Sequence, residues 1–322
     1  MLSISRERVP LGIFVVMPNR AMGELLVSLM PGIIALCYVW GWGVIINIVV
    51  AVISAIASEA LILRIRNIPP LPVLQDYSAV VAAVLLAVAF PPYLPWWIVS
   101  IASACAIVIA KQLYGGLGNN LFNPAMVGYA IAIVAYPLHL TVWPSDLLMT
   151  MRFDWQQAID YAIHGANESY IATLTGATPL DSWRTDNAWQ PHAETPLIHS
   201  NIINIAFATG GLWLLLRRLI QWYAPVAMLC ALTTAAAVFP GHLPPLSSMW
   251  LHLGCGATML GAFYIATDPV TSPRHPYMKL LFGAGVGILV FIIRQGGSYA
   301  DGLAFAILLM NLFVPLMDRY AK

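Results

Sequence analysis

The sequence predicts an all-α polytopic membrane protein of about ten transmembrane helices, arranged as a 5+5 inverted repeat around one long polar loop. Of its 322 residues, 60% are hydrophobic and 9% charged, with a mean hydropathy of +0.79. An average soluble domain carries roughly 25% charged residues. The apolar residues fall in continuous runs approaching the ~20 that a helix needs to cross a bilayer, unlike the short alternating segments of a β-barrel. The basic residues, finally, sort to one side of the resulting map.

The spans, read as apolar runs between breakers, lie at about 21–41, 43–63, 73–90, 93–111 and 122–143, then 200–216, 222–240, 247–267, 278–294 and 301–317. Three parts follow: an N-terminal membrane half at 1–143, a polar loop at 144–199 and a C-terminal membrane half at 200–322. Arg6, Arg8 and Arg20 precede the first span, Arg64 and Arg66 follow the second, and Lys111 ends the fourth. Arg217 and Arg218 follow the sixth, Arg274 and Lys279 the eighth, and Arg319 and Lys322 the tenth. With the N-terminus inside, these twelve of the fifteen basic residues are inside, and Arg152, Arg184 and Arg294 are outside. This is the bias of the positive-inside rule, so both termini are expected on the cytoplasmic face and the loop on the other.

The repeat rests on two pairs of strings. SAVVAAVLLAVAFPP from Ser78 resembles GATMLGAFYIATDPV from Gly256, with Pro91 matching Pro269. Lys111-Gln-Leu-Tyr-Gly-Gly resembles Arg294-Gln-Gly-Gly, each before the last span of its half. Met1 to Arg20 holds only a short apolar stretch, Leu11–Met17, so no cleavable signal peptide is expected. Cys37, Cys105, Cys230 and Cys255 show no CxxC spacing, and neither a metal nor an iron–sulfur site is expected from this chain alone. A net charge of +1 points to no nucleic-acid partner.

Four constellations could carry chemistry. In KQLYGGLGNNLFNPAMVGYA, from Lys111, Gly115, Gly116 and Gly118 permit unusual backbone, and Asn123-Pro124 reads as an N-cap followed by a helix-starting proline. Such a helix start can bind an anion or a cofactor's polar atoms, and it also suits a plain structured turn. In GCGATMLGAFYIATDPVTSP, from Gly254, small residues favour close helix packing. Thr267-Asp268-Pro269 then closes that span with a carboxylate. Glu24, Glu59 and Asp76 fall within spans, where a carboxylate tends to be paired or functional. They are candidates for an ion pathway, with pairing to Arg20, Arg64 or Arg66 as the structural alternative. Lastly, the loop carries Thr175-Gly176-Ala177-Thr178 among aromatic and histidine residues: Trp155, Tyr161, His164, Tyr170, Trp183, Trp189, His192 and His199. These could stack on a ring or simply pack the loop.

Taken together, KQLYGGLGNNLFNPAMVGYA, GATMLGAFYIATDPVT, GGSYADGLAFAILLMN and the ATPLD at 177–181 resemble the RnfD family, related to the NqrB subunit of sodium-pumping NADH:quinone reductase. The resemblance runs from about Arg20 to the C-terminus. It implies a multi-pass subunit of a bacterial inner-membrane complex, with RnfA, RnfB, RnfC, RnfE and RnfG as partners. That complex passes electrons between ferredoxin and NAD and couples the transfer to movement of Na⁺ or H⁺. In this family a flavin transferase attaches FMN, taken from FAD, to a periplasmic threonine through a phosphoester. The attachment pattern is Asp-Gly-x-Ser/Thr-Gly-Ala-Thr; its last threonine falls on Thr178, preceded by Ala177, Gly176 and Thr175, while Ala172 and Thr173 depart from its leading Asp-Gly. Thr178 would be a tether and not a catalyst. The resemblance also allows a second, non-covalent flavin (riboflavin) near the Gly115–Asn123 turn or the Asp268 turn. A different class of function, a channel-like scaffold with half-helices meeting at mid-membrane, fits the same repeat, since the family's fold resembles that of urea channels.

Overall fold

The computed structural model describes residues 18–141, 143–144, 155–165, 175–186, 195–297 and 301–321. Arg152, Tyr170, Ala172, Thr173, Trp189 and His192, together with the first seventeen residues and Lys322, lie outside the described residues.

The chain is mostly helical. Its elements are α1 (Pro18–Trp40), α2 (Gly43–Ile65), α3 (Pro70–Leu74), α4 (Ser78–Ala89), α5 (Trp96–Ile107) and α6 (Pro124–Ala135). A short α7 (Pro137–Leu140) leads to β1 (Trp143–Pro144), α8 (Trp155–His164), β2 (Thr175–Gly176) and α9 (Pro179–Thr185). Beyond the loop come α10 (Thr195–Leu216), α11 (Tyr223–Val238), α12 (Pro245–Gly254), α13 (Thr258–Leu260), α14 (Pro276–Gly296) and α15 (Leu303–Tyr320). Single π-helical turns extend α5 through Val108–Gln112 and α13 through Gly261–Ile265.

Among the described residues, five helices are long and apolar enough to cross a membrane: Asn19–Trp40, Gly43–Ile65, Leu197–Leu216, Pro276–Gly296 and Leu303–Tyr320. Four shorter apolar segments accompany them: Ser78–Ala89, Trp96–Gln112, Pro124–Ala135 and Tyr223–Val238. The remaining segment, expected at 247–267, is broken into α12 and α13 at Cys255–Ala257, where Gly256 takes φ +65°. The segment expected at 73–90 likewise begins only at Ser78, because Asp76 accepts the Ser78 N–H at 2.7 Å and starts a new helix there. Asp76 is therefore a turn residue and not a residue within a span. Proline sets most other boundaries. Pro124, Pro245 and Pro276 each open a helix, where a missing N–H costs nothing, and Pro91 follows the end of α4.

Among the described residues the two halves pack together chiefly where α1 meets α10 and α6 meets α15. The first crossing is close because its contact residues are small. A Cβ on Gly210 would lie 1.8 Å from the Ser28 carbonyl oxygen and 2.2 Å from the Tyr264 hydroxyl oxygen. That hydroxyl shares its one hydrogen between the Ser28 carbonyl at 2.8 Å and the Phe207 carbonyl at 3.2 Å, pinning α1, α10 and the turn after α13 together. Gly210→Ala is therefore expected to push the crossing apart and cost about 1–3 kcal/mol by overpacking. Thermal unfolding of the detergent-solubilised protein checks this, and an unchanged Tm would refute it.

Candidate functional site

Part of the polar loop is tied to the helical body. β1 pairs antiparallel with β2, Trp143 opposite Gly176 and Pro144 opposite Thr175. The Trp143 ring packs on Trp40 at the end of α1, with centroids 5.0 Å apart. Two residues after β2, Thr178 caps α9. Its Oγ1 accepts the Asp181 N–H at 3.2 Å, and Pro179 occupies the first helical position. The Thr178 hydroxyl donates to Asp181 Oδ2 at 2.8 Å. Arg184 donates to Asp181 Oδ1 at 2.6 Å and to the Gly297 carbonyl beyond α14. Burial of Leu180 and Trp183 against Leu243, Leu251 and Cys255 then fastens α9 to α12.

This arrangement leaves a cavity of about 580 Å³ between the loop and the ends of α1, α4, α6, α10 and α15. Gly176, Ala177 and Thr178 line it from the loop; Trp40, Tyr129 and Phe207 form apolar wall; Asn204 and Asp301 bring polar groups. Two of the lining residues, Trp143 and His199, each hold a polar atom, Nε1 and Nδ1, that is buried away from the cavity and without a hydrogen-bond partner. A buried polar atom left so costs free energy. Of the remaining loop aromatics, Trp183 packs at 4.9 Å from His252, and Tyr161 at 5.5 Å from Tyr93. His164 pairs with Asp160 at 2.9 Å on the exposed side of α8. Among the described residues no group of histidines, cysteines and carboxylates could hold a metal.

One wall is built by a buried ion pair that the sequence did not flag. Arg294 Nε donates to Asp301 Oδ1 at 2.9 Å, and Asp301 also accepts the Ala257 and Gly302 N–H groups, each at 2.7 Å. Gly256 must be glycine here: besides its positive φ, a Cβ would meet Arg294 Nη2 and Asp301 Oδ2 at 2.5 Å. Burial works to raise the Asp301 carboxyl, but the Arg294 charge, its hydrogen bond and the two backbone donors carry it below the ordinary value. A carboxyl depressed in the folded state stabilises above its unfolded pKa and loses that contribution as pH falls through the folded one. Acid unfolding of the wild type should accordingly steepen below about pH 4, and Asp301→Asn should flatten that limb. Tm measured between about pH 3 and 6 tests this; parallel curves for both proteins would exclude the pair as a source of acid sensitivity.

A second polar cluster lies at the start of α6 and joins it to the turn after α13. Asn123 Oδ1 accepts the Met126 N–H at 3.2 Å to cap α6, and Asn123 Nδ2 donates to Asp268 Oδ2 at 3.2 Å. Asn311 Oδ1 accepts the Asn123 N–H at 3.1 Å, and Asn311 Nδ2 donates to the Thr271 carbonyl at 2.9 Å. The two turns named separately in the sequence are thus in direct contact, through residues 145 positions apart. Burial raises the Asp268 carboxyl, opposed by hydrogen bonds from Val270, Thr271 and Asn123. Gly115 and Gly116 sit in the preceding turn at φ +104° and +106°, and the Gly116 N–H donates to the Lys111 carbonyl at 3.1 Å.

The three carboxylates singled out in the sequence have other partners than Arg20, Arg64 and Arg66. Glu24 pairs with Arg217 at 2.7 Å across the α1–α10 contact. Glu59 is fully buried and accepts from Lys111 Nζ at 2.5 Å and from Gln112 Nε2 at 2.6 Å. Lys111 also donates to Ser78 Oγ at 2.6 Å, and that hydroxyl donates to Asp76. Arg64 lies five residues beyond Glu59, about 140° around the helix, and is exposed, while Arg66 donates to Gln112 Oε1 at 2.9 Å. Proximity in sequence misassigned these pairs because the buried face of α2 meets the end of α5 instead. The same device recurs in the second half: Arg294 Nη2 donates at 2.9 Å to Thr258 Oγ1, the first residue of α13, as Lys111 does to Ser78, the first of α4.

Comparison with known proteins agrees with the strings that carry the resemblance. Residues 17–322 match the family model described as the NQR2, RnfD, RnfE family. The D subunit of the ion-translocating oxidoreductase complex of Tolumonas auensis is 44% identical over 325 residues, covering 94% of this chain and 93% of that protein. Its counterpart in Citrobacter koseri is 40% identical over 329 residues, and that in Yersinia pseudotuberculosis 41% over 327, each covering 94% of this chain and 93% of its own length.

Proposed function

The chain belongs to the NQR2, RnfD, RnfE family, and from that premise we propose that it is a membrane electron-transfer subunit of an Rnf-type complex, carrying FMN on Thr178 through a phosphoester. The observation that carries this reading is Thr178 on the lining of a cavity of about 580 Å³, within the ~300–1,000 Å³ typical of ligand pockets. The residues present suit a flavin. Trp40, Tyr129 and Phe207 offer apolar and aromatic wall, while Asn204 and Asp301 bring polar groups to the lining. When bound, FMN supplies transfer of one electron at a time, which suits a relay. The chain's own residues do the rest: Thr178 tethers, the β1–β2 pair holds the tether against α1, and Arg294 holds the lining residue Asp301 in place.

In the proposed orientation both termini are cytoplasmic, ten crossings form the 5+5 repeat, and the cavity opens to the periplasm. The matching Lys111–Ser78 and Arg294–Thr258 contacts support that repeat. The Asn123–Asp268 cluster then lies at the cytoplasmic side and is the candidate for a second, non-covalent riboflavin. Ferredoxin and NAD as redox partners, coupling to Na⁺ or H⁺, and assembly with RnfA, RnfB, RnfC, RnfE and RnfG complete the proposal.

The test is co-expression with a flavin transferase, followed by in-gel flavin fluorescence and mass spectrometry of the loop peptide. An FMN adduct on the 175–186 segment supports the reading. Unmodified peptide, with the transferase active on another acceptor, would instead favour a channel-like scaffold, the reading supported by the helix broken at Gly256.

A further inference from the structure

We propose that Asp181 is the general base that activates Thr178 when FMN is attached, so that the acceptor chain supplies part of its own modification chemistry. The inference rests on the attachment reading above. A threonine hydroxyl is a weak nucleophile until a neighbouring base takes its proton. Here the hydroxyl already donates to Asp181 Oδ2 at 2.8 Å, within the ~2.6–3.2 Å reach required of a general base.

The carboxylate is also held in place. Its Oδ1 accepts from Arg184 at 2.6 Å, and Arg184 is anchored in turn on the Gly297 carbonyl, so Oδ2 stays directed at Thr178. This is the nucleophile–base–orienter order that recurs in activated hydroxyls. Helix capping alone does not require it. Thr178 caps α9 as an acceptor, through the Asp181 N–H at 3.2 Å, which leaves its proton uncommitted. In a capping box the third-position side chain reaches back to the cap's backbone N–H. Here it accepts a hydrogen bond from the cap's hydroxyl.

In the reaction, Thr178 Oγ1 attacks the FMN phosphorus of FAD. A new P–O bond forms to Thr178, the phosphoanhydride bond to the AMP phosphate breaks, and AMP leaves. The hydroxyl proton passes to Asp181 and then to AMP or water, and nothing is oxidised or reduced.

The experiment follows the initial rate of FMN incorporation into the full-length chain in membranes, with FAD and purified transferase, for wild type and for Asp181→Asn, Asp181→Glu and Asp181→Gln. Glu and Gln both serve in capping boxes and differ in the base alone. General-base assistance is typically worth ~10²–10⁴-fold. We expect Asp181→Asn and Asp181→Gln to label at least about tenfold more slowly than wild type, and Asp181→Glu to label well above Asp181→Gln. Equal rates for the Glu and Gln variants, or wild-type labelling of Asp181→Asn, would overturn the proposal. Should Asp181→Asn fail to fold, the Glu–Gln pair decides. A wild-type chain that takes no label at all overturns the attachment reading itself, and this proposal with it.

Discussion

Thr178→Ala is expected to abolish covalent flavin altogether, with flavin fluorescence falling to background and the loop peptide found at its unmodified mass. The effect is complete because alanine has no atom to form the phosphoester. Thr178→Ser should keep a measurable fraction, since the hydroxyl and the N-cap both survive and only a methyl group is lost. Alanine at the cap is also expected to cost α9 about 1 kcal/mol. That loss is far too small to unfold a helix fastened by the burial of Leu180 and Trp183. Fluorescence retained in Thr178→Ala would mean that another residue carries the flavin, or that the flavin is bound without a covalent link. Dialysis under denaturing conditions separates those two outcomes.

The second large effect is expected at Lys111. Glu59 is fully buried, its Oε2 has no hydrogen-bond partner, and Lys111 supplies the only formal positive charge it pairs with among the described residues. Removing one member of a buried pair leaves an uncompensated charge, at a cost of about 3–5 kcal/mol. Lys111→Met should therefore cause a large loss of Tm and of yield, aggravated by the loss of its bond to Ser78 at the start of α4. Replacing both partners, as Lys111→Met with Glu59→Leu, should recover much of that stability, because an apolar pair of similar volume needs no counter-charge. Thermal unfolding of the single and double variants decides the matter. A single variant as stable as wild type would show that the pair contributes nothing to the fold.

Hydropathy made the class legible, because a helix exposed to lipid must be apolar along its whole length. The long helices α1, α2, α10, α14 and α15 agree with the expected spans to within several residues at each end. The shorter elements were less legible. The run at 73–90 looks continuous to hydropathy, yet Asp76 and Ser78 restart the helix inside it. The run at 247–267 hides a break at Gly256, where the residues are small or apolar and only the backbone changes hand. Hydropathy reports what solvent a residue prefers, and it is blind to a backbone reversal made from apolar residues.

The proposed tether was legible too, since Thr175-Gly176-Ala177-Thr178 is local. What surrounds it was not. Trp40, Trp143, His199 and Asp301 reach the cavity from four separate stretches of chain. The partners of Glu24 and Glu59 lie 193 and 52 positions away. Composition, apolar run length and the charge bias thus determined by themselves that this chain is a polytopic membrane protein, because each residue meets lipid or water on its own terms. Which ion pairs form, that the Asn123 and Asp268 turns touch, and that Thr178 lines a cavity were decided by the tertiary structure alone. Those are distances between residues remote in sequence, and only the packing of helices against one another sets them.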